Sequence, residues 1–274
     1  MSLFVCPVCK CGLTESEKLY KCEKGHCFDK SKFGYVNLLQ SQKSSAKRHG
    51  DDRLMVRARR DFLDSGAYGF LRETLCEVCG KYMPEGGTVL DAGCGEGYYS
   101  SAIKLYFEQN GKKLEVYGVD ISKDALEFLG KRKCGIPCAV ASLFELPLAD
   151  ESVDCVMNIF SPEADSEFRR VLRKGGLLIR VIPRERHLFE LKAAIYDEPY
   201  LNEMPPVELE FFKCISTKQL EAKFMVESNG MIQNLFKMTP YYYKTGVDDQ
   251  KKINNLDVLE TEASFEIRVY RREI

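Results

Sequence analysis

Two pairs of soft ligands stand close to the amino terminus, Cys6-Pro7-Val8-Cys9 and Cys22-Glu23-Lys24-Gly25-His26, with twelve residues between them. Thiolates and imidazole at C-x2-C and C-x3-H spacing suit tetrahedral Zn2+. A glycine near each pair, Gly12 and Gly25, is expected to ease the turn that brings backbone N–H groups toward sulfur. Four ligands leave no open position, so a zinc ion held by Cys6, Cys9, Cys22 and His26 is expected to support folding rather than chemistry. Cys11 beside Cys9 and Cys27 beside His26 are the alternative ligands. A further C-x2-C, Cys76 and Cys79, falls within helical periodicity and reads as apolar packing.

The second chemical feature is VLDAGCGEGYYS (89–100), an apolar strand running through Asp91 into Gly93, Gly95 and Gly97 before a helix. Glycines there permit positive φ and close approach of a ligand to the backbone. G-C-G-E-G is tighter than the G-x-G-x-x-G of pyrophosphate-binding loops, and it lacks the Lys-Ser or Lys-Thr of a triphosphate loop. The acids Asp91 and Glu96 agree better with a cationic sulfonium carrying an amino-acid tail, that is S-adenosylmethionine. Asp120, ending LEVYGVD, follows at the distance where a carboxylate accepts ribose hydroxyls; otherwise it caps the next helix. Cys94 reads as a small filler between glycines.

These residues need a scaffold, and the chain supplies a strand–helix alternation. Strands are expected at 88–93, 114–120, 136–141, 153–160 and 177–183, with helices at 54–63, 67–79, in YYSSAIKLYFEQN, KDALEFLGKR and ADSEFRRVLR. That order implies an α/β fold with a mostly parallel sheet covered on both faces. STKQLEAKFMV and ASFEIRVYRRE show period-two patterning and suit an antiparallel edge. Three segments follow: a zinc module at 1–38, a basic connection at 39–53 and a large domain at 54–274.

Composition narrows the function classes. The 274 residues are 45% hydrophobic, enough for one large core with a small appendage. No apolar run reaches membrane-spanning length and the start lacks a signal-peptide pattern, so a cytoplasmic location without membrane is expected. Five of the twelve cysteines precede Phe28, which favours metal over a disulfide framework. A net charge of −1 gives no global attraction to a polyanion. Locally, Lys43, Lys47, Arg48, Arg53, Arg57, Arg59 and Arg60 face only Asp51 and Asp52, which reads as a solvated connection or as a phosphate-contacting arm.

Residues 88–183 resemble class I (Rossmann-like) methyltransferases, through the glycine loop, Asp120, ASLFELPL and FRRVLRKGGLLI. That resemblance implies a seven-stranded sheet and puts Ser142 beside the adenine ring. Four blocks together resemble the bacterial RlmA (RrmA) family of 23S ribosomal RNA guanine-N1-methyltransferases: CPVC with CEKGHCFDKSKFGYVNLL, ARRDFLDSGAYGFL, LDAGCGEGYYS, and RHLFELKAAIYDE with KMTPYYYK. The resemblance implies that Cys6, Cys9, Cys22 and His26 bind zinc and that Tyr68, Gly95, Glu96 and His187 contact S-adenosylmethionine. By themselves Tyr68 reads as a helix-surface aromatic and His187 as a helix-start residue. The activity implied is methylation of N1 of a guanine in a 23S ribosomal RNA hairpin loop. A small-metabolite methyltransferase and an inactive zinc-dependent RNA-binding protein are the alternatives, and a homodimer is compatible with each. The catalytic group is not identified; Asn158 and Glu163 are the candidates at the end of the fourth strand, with Glu163 equally suited to capping a helix. Tyr35 and Tyr241 to Tyr243 read as base-stacking groups or as core.

Overall fold

The computed structural model describes residues 2–40 and 50–273; Lys43, Lys47 and Arg48 of the basic stretch lie outside the described residues. Three short antiparallel strands, β1 (Leu13–Glu15), β2 (Leu19–Cys22) and β3 (Cys27–Asp29), form a ribbon, followed by β4 (Val36–Asn37). Two helices, α1 (Arg53–Asp64) and α2 (Gly69–Tyr82), lead into the alternating region. Its elements are β5 (Thr88–Ala92), α3 (Tyr98–Gln109), β6 (Glu115–Asp120), α4 (Lys123–Lys131), β7 (Cys138–Val140), β8 (Val153–Ile159), α5 (Asp165–Val171) and β9 (Leu172–Pro183). After α6 (Phe189–Ile195), the long β10 (Phe212–Val226) and β11 (Leu259–Arg272) enclose α7 (Asn229–Lys237), α8 (Tyr241–Lys244) and α9 (Val247–Lys252). Among the described residues no helix is long and apolar enough to cross a membrane.

The main sheet runs β10-β11-β9-β8-β5-β6-β7-β4, parallel from β9 to β4 and antiparallel through β11 and β10. β5 lies at its centre with every residue buried, as a strand covered on both faces must be. The seven strands expected of the large domain are joined by an eighth, β4, where Val36 and Asn37 pair with Ala139 and Val140. Two residues carry no readable periodicity, yet they shield the polar edge that β7 would otherwise present. The fifth parallel strand also starts earlier than expected, at Leu172 rather than at 177. Gly175, at φ 73°, absorbs the register irregularity between Leu172 and Leu177.

Packing carries the ribbon onto the sheet. Phe4, Leu13 and Tyr20 are buried in one cluster with Leu90, Val119 and Ala139. The Phe4 ring meets Tyr117 edge-on at 5.8 Å, and Val5 N–H donates to Pro147 O at 2.8 Å. Capping fixes the helices that reach the site: Asp52 accepts from Met55 N–H ahead of α1, and Ser122 from Ala125 N–H ahead of α4.

Candidate functional site: a metal cluster and a two-ended pocket

In the ribbon, the ligand atoms of Cys6, Cys9, Cys22 and His26 all lie within 4.8 Å of one another. His26 Nδ1 is 3.5 Å from Cys6 Sγ and 3.3 Å from Cys22 Sγ, and Cys9 Sγ is 3.7 Å from Cys22 Sγ. A tetrahedron with ordinary Zn–S and Zn–N bonds has edges of about 3.5 to 3.8 Å, so the donor set fits zinc in size and chemistry. Cys11 and Cys27 turn their thiols to the carbonyls of Cys9 and Gly25, outside the cluster. Gly25 takes positive φ as the sequence suggests, whereas in the first knuckle Lys10 does so, at φ 61°, and Gly12 does not. The first turn closes one residue after Cys9, with Lys10 N–H donating to Cys6 O, and this puts the left-handed position before the glycine.

At the carboxyl ends of the parallel strands lies a cavity of about 650 Å3, within the range of small-molecule sites. One end is built by the β5–α3 turn and the ends of β6 and β7. Gly93, Gly95 and Gly97 have φ of 87°, 54° and 81°. A Cβ on Gly93 would sit 2.4 Å from Ser161 Cβ, and one on Gly97 would meet Leu129 at 2.9 Å. A Cβ on Gly95 would meet nothing within 4 Å among the described residues. Gly93 and Gly95 line the cavity, while Gly97 does not reach its wall and serves the packing of the turn against α4.

Asp120 is buried, and both its oxygens accept backbone donors at 2.8 Å, Oδ2 from Gly95 and Oδ1 from Ser122. Burial pushes its carboxyl above the usual range, against the lowering effect of those two bonds. Ser122, not Asp120, caps α4, which leaves the spare lone pairs of Asp120 for a ligand. Asp91 is pushed up to about 7 by burial, against a bond from Ser100 Oγ to its Oδ2. Its Oδ1 is buried without a partner among the described residues. Glu96 does not offer the free counter-charge that the sequence suggests, because Arg132 grips its carboxylate and also reaches Asp64 at 2.9 Å. Ser142 lines the same end, its Oγ accepting Phe144 N–H. An orphaned carboxylate oxygen, a glycine facing open space and a buried carboxylate with spare lone pairs together fit S-adenosylmethionine.

The other end is aromatic. Tyr68 precedes α2 and His187 precedes α6, 119 positions apart, yet Tyr68 Oη lies 3.5 Å from His187 Nε2. Both rings pack on Phe265 of β11, at 5.0 and 4.6 Å between centroids. Tyr68 is thus buried rather than a surface aromatic. Burial holds His187 down to about 3, hence neutral, and the charge of Lys192 adds to the effect. His187 Nδ1 accepts Ser264 N–H at 3.2 Å, so Nε2 carries the hydrogen and is a donor. Asn158 and Glu163 line this end as well. The amide N–H groups of Asn158 donate to Ser161 Oγ and Pro162 O, and the Glu163 carboxylate is paired with Arg180 at 3.2 Å, so both candidates are already engaged by the protein.

Two wall residues, Phe160 and Phe265, carry no local signal in the sequence. Phe160, Phe265 and the 238–241 segment close the aromatic end. Arg59 of the basic stretch bridges Asp51 at 2.5 Å and Met238 O at 3.2 Å, drawing α1 and the α7–α8 connection together across the mouth. Of the tyrosine triplet, Tyr241 is nearly buried in the wall, while Tyr243 is exposed and donates to Asp52. Tyr35 is partly buried against the core.

Comparison with known proteins agrees with this layout. A family model described as "RlmA, N-terminal", a zinc ribbon, matches residues 4–47, and one described as "Methyltransferase domain" matches 90–180. The Bacillus subtilis protein YxjB, whose assigned name is a 23S rRNA (guanine-N(1)-)-methyltransferase, is 34% identical over 201 residues, 72% of this chain and 70% of the relative. The 23S rRNA (guanine(748)-N(1))-methyltransferase of Streptomyces fradiae is 36% identical over 193 residues, 69% of this chain and 66% of the relative. A malonyl-[acyl-carrier protein] O-methyltransferase of Yersinia pestis is 30% identical over 133 residues, 45% of this chain and 48% of the relative. The chain therefore pairs a zinc ribbon with an S-adenosylmethionine-dependent methyltransferase domain, and with a relative matched at this identity over most of both sequences it belongs to the 23S rRNA (guanine-N1)-methyltransferase family.

Proposed function

We propose that this protein methylates N1 of a guanine in a hairpin loop of 23S ribosomal RNA, working in the cytoplasm. What carries the reading is the combination of a methyltransferase cavity and an RlmA-type ribbon in one chain whose relatives bear names for that reaction. Tyr68, Asp91, Gly93, Gly95, Glu96, Asp120, Ser142 and His187 are the residues assigned to the cofactor, Gly97 and Glu96 acting through the shape of the loop. When bound, S-adenosylmethionine supplies an electrophilic methyl group on a cationic sulfur. The chain's own task is to hold the acceptor nitrogen in line and to keep water out.

The aromatic end suits that task, since Tyr68, His187 and Phe265 form a nearly continuous ring wall. These three rings are buried, so they form a dry wall beside which a flat base extruded from an RNA loop can be held. The neutral His187 presents an Nε2–H donor, which suits an oxygen of the ligand or base rather than the proton on guanine N1. Asn158 orients the loop after β8 through its two amide bonds.

Mass spectrometry of ribosomal RNA from a strain lacking the gene tests the reading. Loss of a 1-methylguanosine at one 23S position, restored by the intact gene, is expected. Unchanged 1-methylguanosine would overturn it, and primer-extension arrest maps the nucleotide because N1 methylation blocks Watson–Crick pairing.

A further inference from the structure

The loop after β8 holds a conformational oddity at the aromatic end of the cavity. Phe160 has φ 53°, in the left-handed region that bulky side chains avoid. It is held there from several directions. Asn158 Nδ2 donates to Ser161 Oγ at 2.6 Å and to Pro162 O at 3.0 Å, and Ser161 Oγ donates to Ala92 O at 2.6 Å. Buried Arg180 grips Glu163 and Asp165 on the far side of the loop. Gly93 leaves room for Ser161 to lie flush against the cofactor turn. A strained residue persists only where its surroundings over-determine it, and such strain concentrates at functional positions.

Burial does not explain the arrangement, because the Phe160 side chain remains 45% exposed while lining the cavity. Its ring rests on Phe265 at 5.2 Å between centroids and is flanked by Tyr99 at 6.4 Å, so it is supported by other rings and still open to solvent. We propose that Phe160 is the stacking surface for the target base, a specificity-determining residue of the acceptor rather than part of the cofactor site. The inference rests on the reading of the acceptor as a guanine in RNA. A half-exposed ring fixed at the mouth recognises a π-face and needs the base out of its helical stack, which favours a nucleotide already unpaired in a loop.

The experiment uses the full-length, zinc-loaded protein and four variants, Phe160→Ala, Phe160→Leu, Phe160→Tyr and Phe160→Trp. Calorimetry gives the affinity for S-adenosylhomocysteine, fluorescence anisotropy gives hairpin RNA binding in its presence, and steady-state kinetics gives kcat and KM for the RNA. Phe160→Ala is expected to lower kcat/KM for RNA roughly tenfold or more, from the usual worth of base–aromatic stacking, with cofactor affinity within about twofold of wild type. Tyr and Trp restore kcat/KM to within about threefold, while Leu, which fills the volume without a π-face, does not. Wild-type kinetics in the Ala or Leu variant would overturn the inference, and so would a cofactor affinity that falls in step with the RNA term. The wild-type control keeps the two readings apart. Absence of 1-methylguanosine from its product sinks the guanine reading, whereas normal wild-type product with an unaffected Phe160→Ala sinks this inference alone.

Discussion

The two ends of the cavity are built on opposite principles. The cofactor end comes from residues close in sequence, where the β5–α3 turn sets three positive-φ glycines and Asp120 reaches back to clamp Gly95. The proposed acceptor end gathers Phe160, Tyr241 and Phe265 from distant parts of the chain, with Tyr68 and His187 at its border with the cofactor end, and β11 running beside β9 brings them together. Backbone geometry serves a ligand common to many enzymes, and it can be written in a short motif. The side chains proposed to meet the acceptor, which differs between enzymes, are brought together by tertiary packing, and no short motif encodes them. If the two ends are as separable as they look, perturbing one should leave the other working.

Metal removal is the severest way to break that division. Chelation, or Cys22→Ser, removes a structural zinc whose binding free energy is on the order of 10 kcal/mol in comparable small domains. The ribbon docks on the β7 side through Phe4, Val5 and β4, and among the described residues none of 2–40 lines the cavity itself. Turnover on hairpin RNA is expected to be lost while calorimetric affinity for S-adenosylhomocysteine stays within about fivefold of wild type, a tolerance of about 1 kcal/mol. Equal loss of both would show that the ribbon supports the cofactor end as well.

Next in size is a pH effect confined to the cofactor end. Asp91 has its carboxyl pushed up to about 7 by burial, so the folded chain holds this proton more tightly than the unfolded chain does. The resulting stabilisation is complete below about pH 4, the ordinary aspartate value, and is lost as pH rises through about 7. It is on the order of 4 kcal/mol. Thermal melts of the ligand-free protein should therefore drop between pH 5 and 8, and Asp91→Asn should flatten that slope. S-adenosylmethionine affinity should rise over the same window in wild type, as the carboxylate forms beside a cationic ligand. His187, held down to about 3, stays neutral throughout and adds nothing to this titration.

The same contrast governs what the sequence made legible. Cys6, Cys9, Cys22 and His26 stand out because metal ligands need particular residue types at short spacing, and the structure brings those four together while turning Cys11 and Cys27 away. The glycine turn and Asp120 are readable for a similar reason, as positive φ selects glycine. β4 escapes because two residues have no period, and the left-handed Lys10 and Phe160 escape because nothing in a non-glycine residue announces positive φ. Glu96 was readable as an acid but not as one already occupied, since Arg132 lies 36 positions downstream. Tyr68 and His187 acquire their meaning only from Phe265, which the strand pattern presents as one more buried apolar residue.

Two smaller effects concern Asp120 and Tyr68. Asp120→Ala removes the acceptor of Gly95 N–H and Ser122 N–H along with the proposed ribose contacts. At about 1.5 to 3 kcal/mol for each bond to a charged group, a hundredfold or greater rise in the Kd for S-adenosylhomocysteine is expected. RNA binding by anisotropy should hold within about twofold, and a parallel loss would mean that the turn shapes both ends.

The smallest expected change belongs to Tyr68→Phe, which deletes one hydroxyl and keeps the ring. The hydroxyl lies 3.5 Å from His187 Nε2, a long contact between neutral groups, and the ring keeps its edge contacts with Phe62 and Phe265. A net loss of about 1 kcal/mol, roughly fivefold, is the ceiling for such a bond. Because Tyr68 sits where the two ends meet, the parameter that moves matters more than the size. A rise in KM for S-adenosylmethionine with kcat and RNA binding steady puts the hydroxyl on the cofactor, as its assignment requires. A fall in kcat with an unchanged cofactor KM would move Tyr68 to the acceptor end, beside Phe160, and shift the boundary between the two halves by one residue.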